Sequence, residues 1–177
     1  MVNKSEKIII CGKSGSGKDH LLRELTTIGF KPSVKITTRP KRNKEIDGVD
    51  YKFISDSEFE NIESLNELLV YQDFTNDRGD VWKYGILNED FSKSQIFIMT
   101  PDEISQLNDL DRKKSFVVYL DIDRPIRESR LYTREDRNDS VSRRLDSDEN
   151  DFKDFREYDL RITDPEFTSD LIIDLMN

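Results

Sequence analysis

Cysteine is nearly absent. Cys11 is the single one in 177 residues, which excludes an internal disulfide framework. It ends the apolar run Lys7–Cys11 (KIIIC), where a thiol is expected to be buried and inert. Long apolar runs are also missing. The start, MVNKSEKIII, has too short an apolar stretch for a signal peptide, and no run approaches the roughly 20 apolar residues of a membrane span. A reducing cytoplasm is the expected compartment. Net positive charge is missing as well: −9 at neutral pH argues against a general binder of nucleic acid or of anionic membranes. An anionic substrate would need a local basic site. No internal repeat and no low-complexity segment interrupts the chain. Hydrophobic residues are only 34% of the chain, but they cluster, so one domain, or one domain with an insert, can form a core.

Those clusters alternate between two periodicities. Lys7–Cys11, Gln95–Met99 (QIFIM) and Ser115–Ile122 (SFVVYLDI) are continuous apolar runs and predict buried strands. Lys18–Thr27 places Leu21, Leu22 and Leu25 on one helical face, and Gly29 stops it. Thr100-Pro101-Asp102-Glu103 supplies a cap, a first-turn proline and two first-turn acids, so a helix starts there. Further helices are expected at about Arg124–Thr133, through Arg143 and Leu145, and at Phe167–Leu175, with a last strand at Leu160–Thr163. Apolar strands alternating with helices predict an α/β protein with a parallel sheet covered on both faces. The section 37–90 breaks that rhythm. Val34–Ile36, Tyr51–Ile54, Leu68–Phe74 and Val81–Ile86 look extended, and one short helix starts at Asp56 or Ser57, so this section reads as a β-rich insert. The core is then 1–36 with 91–177.

One loop carries a phosphate-binding pattern. Gly12-Lys13-Ser14-Gly15-Ser16-Gly17-Lys18-Asp19 fits G-x-x-x-x-G-K-[ST] except at its last position, where a carboxylate replaces the magnesium-binding hydroxyl. The preceding strand and following helix are the context the motif requires. Such a turn aims successive N–H groups and a helix N-terminus at one anion, with Lys18 on the β and γ phosphates. A plain Gly/Ser turn before a helix is the competing reading.

Downstream, Thr37-Thr38-Arg39-Pro40-Lys41-Arg42 leads to Glu45, Gly48, Asp50, Tyr51 and Phe53. Two arginines three apart, hydroxyls before them and a tyrosine after can clamp a phosphate. The pattern TTRxxRxxExxGxDYxF behind a phosphate loop resembles the guanylate kinase family, over nearly the whole chain. The resemblance implies a P-loop fold with an acceptor-binding insert and a helical lid at about 130–145. It also implies transfer of the ATP γ-phosphoryl group, with Mg²⁺, to a nucleoside monophosphate. Arg39, Arg42, Glu45, Tyr51 and Tyr84, of the Tyr84-Gly85 pair, match the acceptor-phosphate residues; Arg134, Arg137 and Arg144 match the lid arginines, with Arg143 a near equal.

Three departures qualify the resemblance. Aligning Phe74 and Tyr84-Gly85 puts the family's base-reading glutamate at Val70, its hydroxyl at Ile86 and its serine at Lys35 or Ile36. Gln72, two residues beyond Val70 on the same strand face, is the candidate substitute. The loop Thr75–Val81 is longer than the family's, which brings Asp77, Arg78 and Asp80 into consideration. The third departure is acidic: the family carries acids near Thr100, whereas here an acid stands at Asp19. This predicts a compensation, with Asp19 and Thr100 sharing the metal. The Lys18-Asp19 ending also resembles that of ribose 1,5-bisphosphate phosphokinases. A sugar-phosphate kinase and a non-catalytic interaction module are the alternatives.

Overall fold

The computed structural model describes residues 7–76, 78–133 and 140–176. In chain order the elements are β1 (Lys7–Gly12), α1 (Lys18–Thr27), β2 (Ile36–Thr37), β3 (Lys52–Phe53), α2 (Asp56–Ser64), β4 (Leu68–Thr75), β5 (Val81–Leu87) and α3 (Asn88–Lys93). They continue with β6 (Ile96–Ile98), α4 (Pro101–Ser105), α5 (Asp109–Lys113), β7 (Ser115–Leu120), α6 (Arg124–Thr133), α7 (Val141–Asp151), β8 (Leu160–Ile162) and α8 (Asp170–Met176). The chain divides into two compact units, Met1–Pro32 with Gln95–Asn177, and Ser33–Ser94.

The first unit is built on a parallel sheet of order β6-β1-β7-β8. Parallel strands need covering on both faces, and that is why β1 and β7 are apolar at successive positions and buried throughout. Side chains alternate along a strand. Ile8 and Ile10 therefore share one cluster with Leu21 and Leu25 of α1, Val118 of β7 and Ile172 of α8. Ile9 and Cys11 face the other way and are equally buried. The cysteine is thus a core thiol. α1 ends where Gly29 takes a positive φ of 105°. α4 starts as its sequence predicts, on Thr100 with Pro101 in the first turn and Glu103 completing a capping box.

The second unit is a mixed sheet of order β3-β2-β5-β4. β4 and β5 form its antiparallel hairpin, with an irregularity between Leu68 and Val70. Gly85 lets α2 approach: an added Cβ would lie 2.9 Å from Leu68 and 3.3 Å from the Phe59 ring. The other face of the hairpin carries Val70, Gln72 and Phe74 opposite Ile86, Tyr84 and Trp82.

Two short helices, α3 and α5, are absent from the sequence reading. Each spans five or six residues, too few to show a periodic stripe. α5 did carry one local signal, since the Asn108 side chain accepts the N–H groups of Leu110 and Asp111. No described helix is long and apolar enough to cross a membrane.

Candidate functional site

The loop after β1 has the backbone that a phosphate cradle needs. Gly15 and Gly17 adopt positive φ values of 77° and 104°. A Cβ at Gly15 would lie 2.6 Å from the Arg127 carbonyl, and one at Gly12 would lie 2.6 Å from the Ser16 hydroxyl. Close approach therefore demands glycine at both positions. Gly17 is the N-cap of α1 and brings no capping side chain, so the first N–H groups of the helix keep their electropositive end facing the loop. The Ser16 hydroxyl oxygen is buried with no hydrogen-bond partner among the described residues. Such an orphan inside a polar loop fits a site that takes a polar group.

Lys18 folds back over this loop. Its ammonium donates to the carbonyls of Gly12 (2.6 Å) and Lys13 (3.1 Å). Burial pulls its pKa below the ordinary lysine value, against the carboxylates of Asp148 and Asp19, which raise it. Lys13, Ser14 and Asp19 complete the loop; Lys13 is paired with Glu149 and Asp19 is exposed.

Two arginines that sequence reasoning missed hold the loop from α6. Arg127 is 1% exposed and donates to the Ile122 carbonyl at 2.8 Å and the Ser14 carbonyl at 3.4 Å. Arg130 donates to the carbonyls of Gly15 and Ser16, each at 3.3 Å, and to that of Pro165 at 3.0 Å. A guanidinium fork suits this, because one planar group satisfies several carbonyls at once. The signal was legible: Arg124, Arg127 and Arg130 recur every third residue along one helix.

Arg144 lies on α7, and its charge reaches Lys18. Arg143, beside it, gives its N–H to the Ser140 cap. Arg134 and Arg137 lie outside the described residues, as does Asp77. The Asn76 side chain organises the rest of that loop, accepting the N–H groups of Arg78 and Asp80.

The hard oxygen donors that Mg²⁺ prefers are partly present. Among the described residues no group of three or more His, Cys, Asp or Glu could hold a metal. Magnesium that keeps waters and shares phosphate oxygens needs only one or two protein ligands, and the Asp19 carboxylate fits that role. The Thr100 hydroxyl oxygen accepts the Glu103 N–H at 3.3 Å as the cap of α4, which fixes it just after the end of β6.

In the second unit a buried arginine is held among aromatic rings. Arg39 donates to Glu45 at 2.6 Å and to the Pro40 carbonyl at 2.9 Å. Its guanidinium carbon lies 5.3 Å from the Tyr51 ring centre and 5.6 Å from that of Phe53. Tyr51 and Tyr84 are edge to face at 5.8 Å. Glu45 also accepts the Arg42 N–H at 2.8 Å, so one carboxylate fixes both arginines of the motif. Burial alone would raise the Glu45 pKa, but the Arg39 hydrogen bond and the Arg42 N–H outweigh it and hold the group below the usual glutamate value. Burial raises the Tyr84 pKa, opposed by the Arg39 charge. Thr37 and Thr38 lock this cluster to β5: the Thr37 hydroxyl donates to the Lys83 carbonyl and the Thr38 hydroxyl oxygen accepts the Lys83 N–H. Arg39, Glu45, Tyr51 and Tyr84 are thus brought together, and the Arg42 charge acts on Glu45 and Tyr84. Gln72 pairs with Tyr84 across the hairpin, next to the Val70–Ile86 pair.

Known proteins resemble this chain over most of its length. The sequence model of the guanylate kinase family matches residues 4–172. A guanylate kinase of Rickettsia prowazekii (strain Madrid E) is 29% identical over 178 residues, spanning 96% of this chain and 88% of that protein. One of Mesoplasma florum is 43% identical over 88 residues, a match covering 48% of this chain and 30% of that protein. The fold is similar to the crystal structure of guanylate kinase from Anaplasma phagocytophilum, with a TM-score of 0.70 at 19% identity, over 99% of this chain and 86% of that one. With its glycine loop, its buried Arg39 paired to Glu45 and a family match running almost from end to end, the chain belongs to the guanylate kinase family.

Proposed function

We propose that the loop Gly12–Asp19 holds the phosphates of ATP, and that Arg39, Arg42, Tyr51 and Tyr84 hold the phosphate of a nucleoside monophosphate acceptor. The reaction class comes from the family: ATP-dependent phosphoryl transfer to a nucleoside monophosphate. The observation that carries the acceptor assignment is the Arg39 cluster: one guanidinium, fixed by Glu45 and by the Tyr51 and Phe53 rings, stands with Arg42 and Tyr84 in a single group of anion-binding side chains.

Phosphoryl transfer asks the protein for positioning and for charge neutralisation rather than for covalent chemistry. Lys18 exchanges its bonds to the Gly12 and Lys13 carbonyls for bonds to β and γ oxygens. The loop N–H groups and the start of α1 neutralise the same charge. Arg39 and Arg42, held in register by Glu45, and the hydroxyls of Tyr51 and Tyr84 orient the acceptor phosphate for in-line attack. Arg144, with Arg134 and Arg137, stabilises charge on the transferring group. Asp19 with Thr100 would hold Mg²⁺, which would supply positive charge to offset that of the donor phosphates. The cytoplasm is the compartment this reading implies.

The base is read differently from the family's way. Val70 and Ile86 can neither accept from nor donate to a guanine edge, so the penalty that a hydrogen-bonding site imposes on the wrong base is lost at both positions. Gln72 is the hydrogen-bonding side chain next to them. Selectivity for guanine is therefore expected to be weak. The same apolar pair is what favours the second reading, a sugar-phosphate acceptor. Phosphorus NMR of mixtures of ATP with each ribo- and deoxynucleoside monophosphate, or with ribose 1,5-bisphosphate, separates the two. A nucleoside diphosphate formed from acceptor supports the first, and turnover of the sugar bisphosphate alone overturns it.

A further inference from the structure

The phosphate loop is already bonded to acids of its own chain. Asp148 and Glu149 lie on α7. One Asp148 oxygen accepts the Ser14 backbone N–H at 2.7 Å, and the other accepts the Ser14 hydroxyl at 3.2 Å. Glu149 accepts from the Lys13 ammonium at 2.7 Å and from Arg127 at 2.8 Å. Arg127 lies 3.7 Å from Asp148 as well, so both acids are held in place from beneath. A carboxylate that takes a loop N–H and a loop hydroxyl makes the contacts a phosphate oxygen makes at such loops. Its position is set by the same helix that carries Arg144: the two residues are four apart, on one face, and both act on the Lys18 ammonium.

We propose that Asp148 is a residue of the donor site, its carboxylate occupying the loop contacts at Ser14 that a terminal donor phosphate oxygen takes over, so that the donor binds by displacing it. This rests on the reading of Gly12–Lys18 as the donor loop. Two anions cannot share one N–H at hydrogen-bond distance, and a cation between them relieves their repulsion. Asp148 therefore selects against metal-free polyphosphate and makes donor binding depend on magnesium. Glu149 plays the supporting part, since it pins Lys13 and Arg127 rather than the loop backbone.

The test is calorimetric binding of ATP, with and without Mg²⁺, to the wild type, Asp148→Asn and Asp148→Ala. Without metal, both variants should bind ATP about tenfold tighter than the wild type, roughly the effect of one charged hydrogen bond no longer broken. With Mg²⁺ the gain should shrink. Unchanged or weaker metal-free binding in the variants overturns the proposal, because a purely structural Asp148 would loosen the loop. Asp148→Ala leaves Arg127 with one acid fewer, so Asp148→Asn, which keeps the shape, carries the test if the alanine variant does not fold. The wild type gives an independent reading: the Ser14 amide resonance must shift when ATP saturates the protein, and a resonance that stays in place overturns displacement. Lys18→Ala separates the two levels. If it binds ATP as tightly as the wild type, the donor-loop reading itself fails.

Discussion

Val70 and Ile86 stand directly opposite each other on β4 and β5, and each is 1% exposed. These are the two positions at which the family resemblance places a carboxylate and a hydroxyl for reading guanine. An apolar pair here gains packing but forfeits every hydrogen bond to a base edge. Next to it stand Tyr84 and, with it, the Arg39–Glu45 cluster. On the proposed reading, the grip on the acceptor phosphate is kept and the family's means of choosing the base is given up.

Lys18→Ala should abolish transfer and leave the fold in place. The Lys18 ammonium bonds the Gly12 and Lys13 carbonyls and is no part of the apolar core, so its loss removes no core packing. Losing a cation aimed at transition-state charge should cost ~3–4 kcal/mol, or a factor of ~10²–10³ in kcat. The checks are steady-state rates and a thermal melt; a folded variant with unchanged kcat would remove Lys18 from the mechanism.

Arg39→Ala and Arg42→Ala should raise the acceptor KM far more than the ATP KM. Each charged hydrogen bond to the acceptor phosphate is worth ~1.5–3 kcal/mol. Arg39→Ala should also lower stability, since it strips Glu45 of its buried partner. Trp82, the chain's one tryptophan, sits two residues from Tyr84 on the same strand face, so its fluorescence can report acceptor binding directly. A rise in the ATP KM instead would put this segment at the wrong end of the reaction.

The Glu45–Arg39 pair should show in the acid limb of stability. Glu45 is held below its ordinary pKa of 4.5. A depressed carboxylate contributes stability that is complete above the unfolded value and is lost as pH falls through the folded one. The melting-temperature gap between wild type and Glu45→Gln should therefore be constant above about pH 5 and narrow below 4.5. A gap that stays constant down to pH 3 would mean that Glu45 acts without its charge.

Asp19→Ser should shift the magnesium requirement upward, because the metal loses its carboxylate while Thr100 remains a hydroxyl. Adding Thr100→Asp should restore part of it. Aspartate is as good an N-cap as threonine, so α4 should keep its start. Activity titrated against free Mg²⁺ decides this. A fully active Asp19→Ser at ordinary magnesium would reduce Asp19 to a first-turn acid favouring the helix dipole.

The parts legible in the sequence are those fixed locally. The phosphate loop could be read because strand, glycines, lysine and helix are consecutive. The Arg39–Glu45 cluster could be read because its motif spans few residues. The arginines and acids that meet the loop from elsewhere were different. Arg127 and Glu149 reach Ser14 and Lys13 across more than a hundred residues of chain, and in sequence they are ordinary charges on polar helices. Only the three-residue spacing of Arg124, Arg127 and Arg130 hinted at a common face, and nothing marked Asp148 apart from its neighbours.

The most direct measurement of the central claim is kcat/KM for each nucleoside monophosphate with ATP and Mg²⁺, using purified wild-type protein. The account predicts Lys18-dependent transfer to nucleoside monophosphates, with GMP within about 200-fold of the best alternative base, since apolar contacts discriminate by no more than about 10–200-fold. No transfer to any nucleoside monophosphate would contradict the assignment of activity. A preference for GMP of ~10⁴-fold or more would contradict the reading of Val70 and Ile86, because only hydrogen-bonding groups reach that ratio.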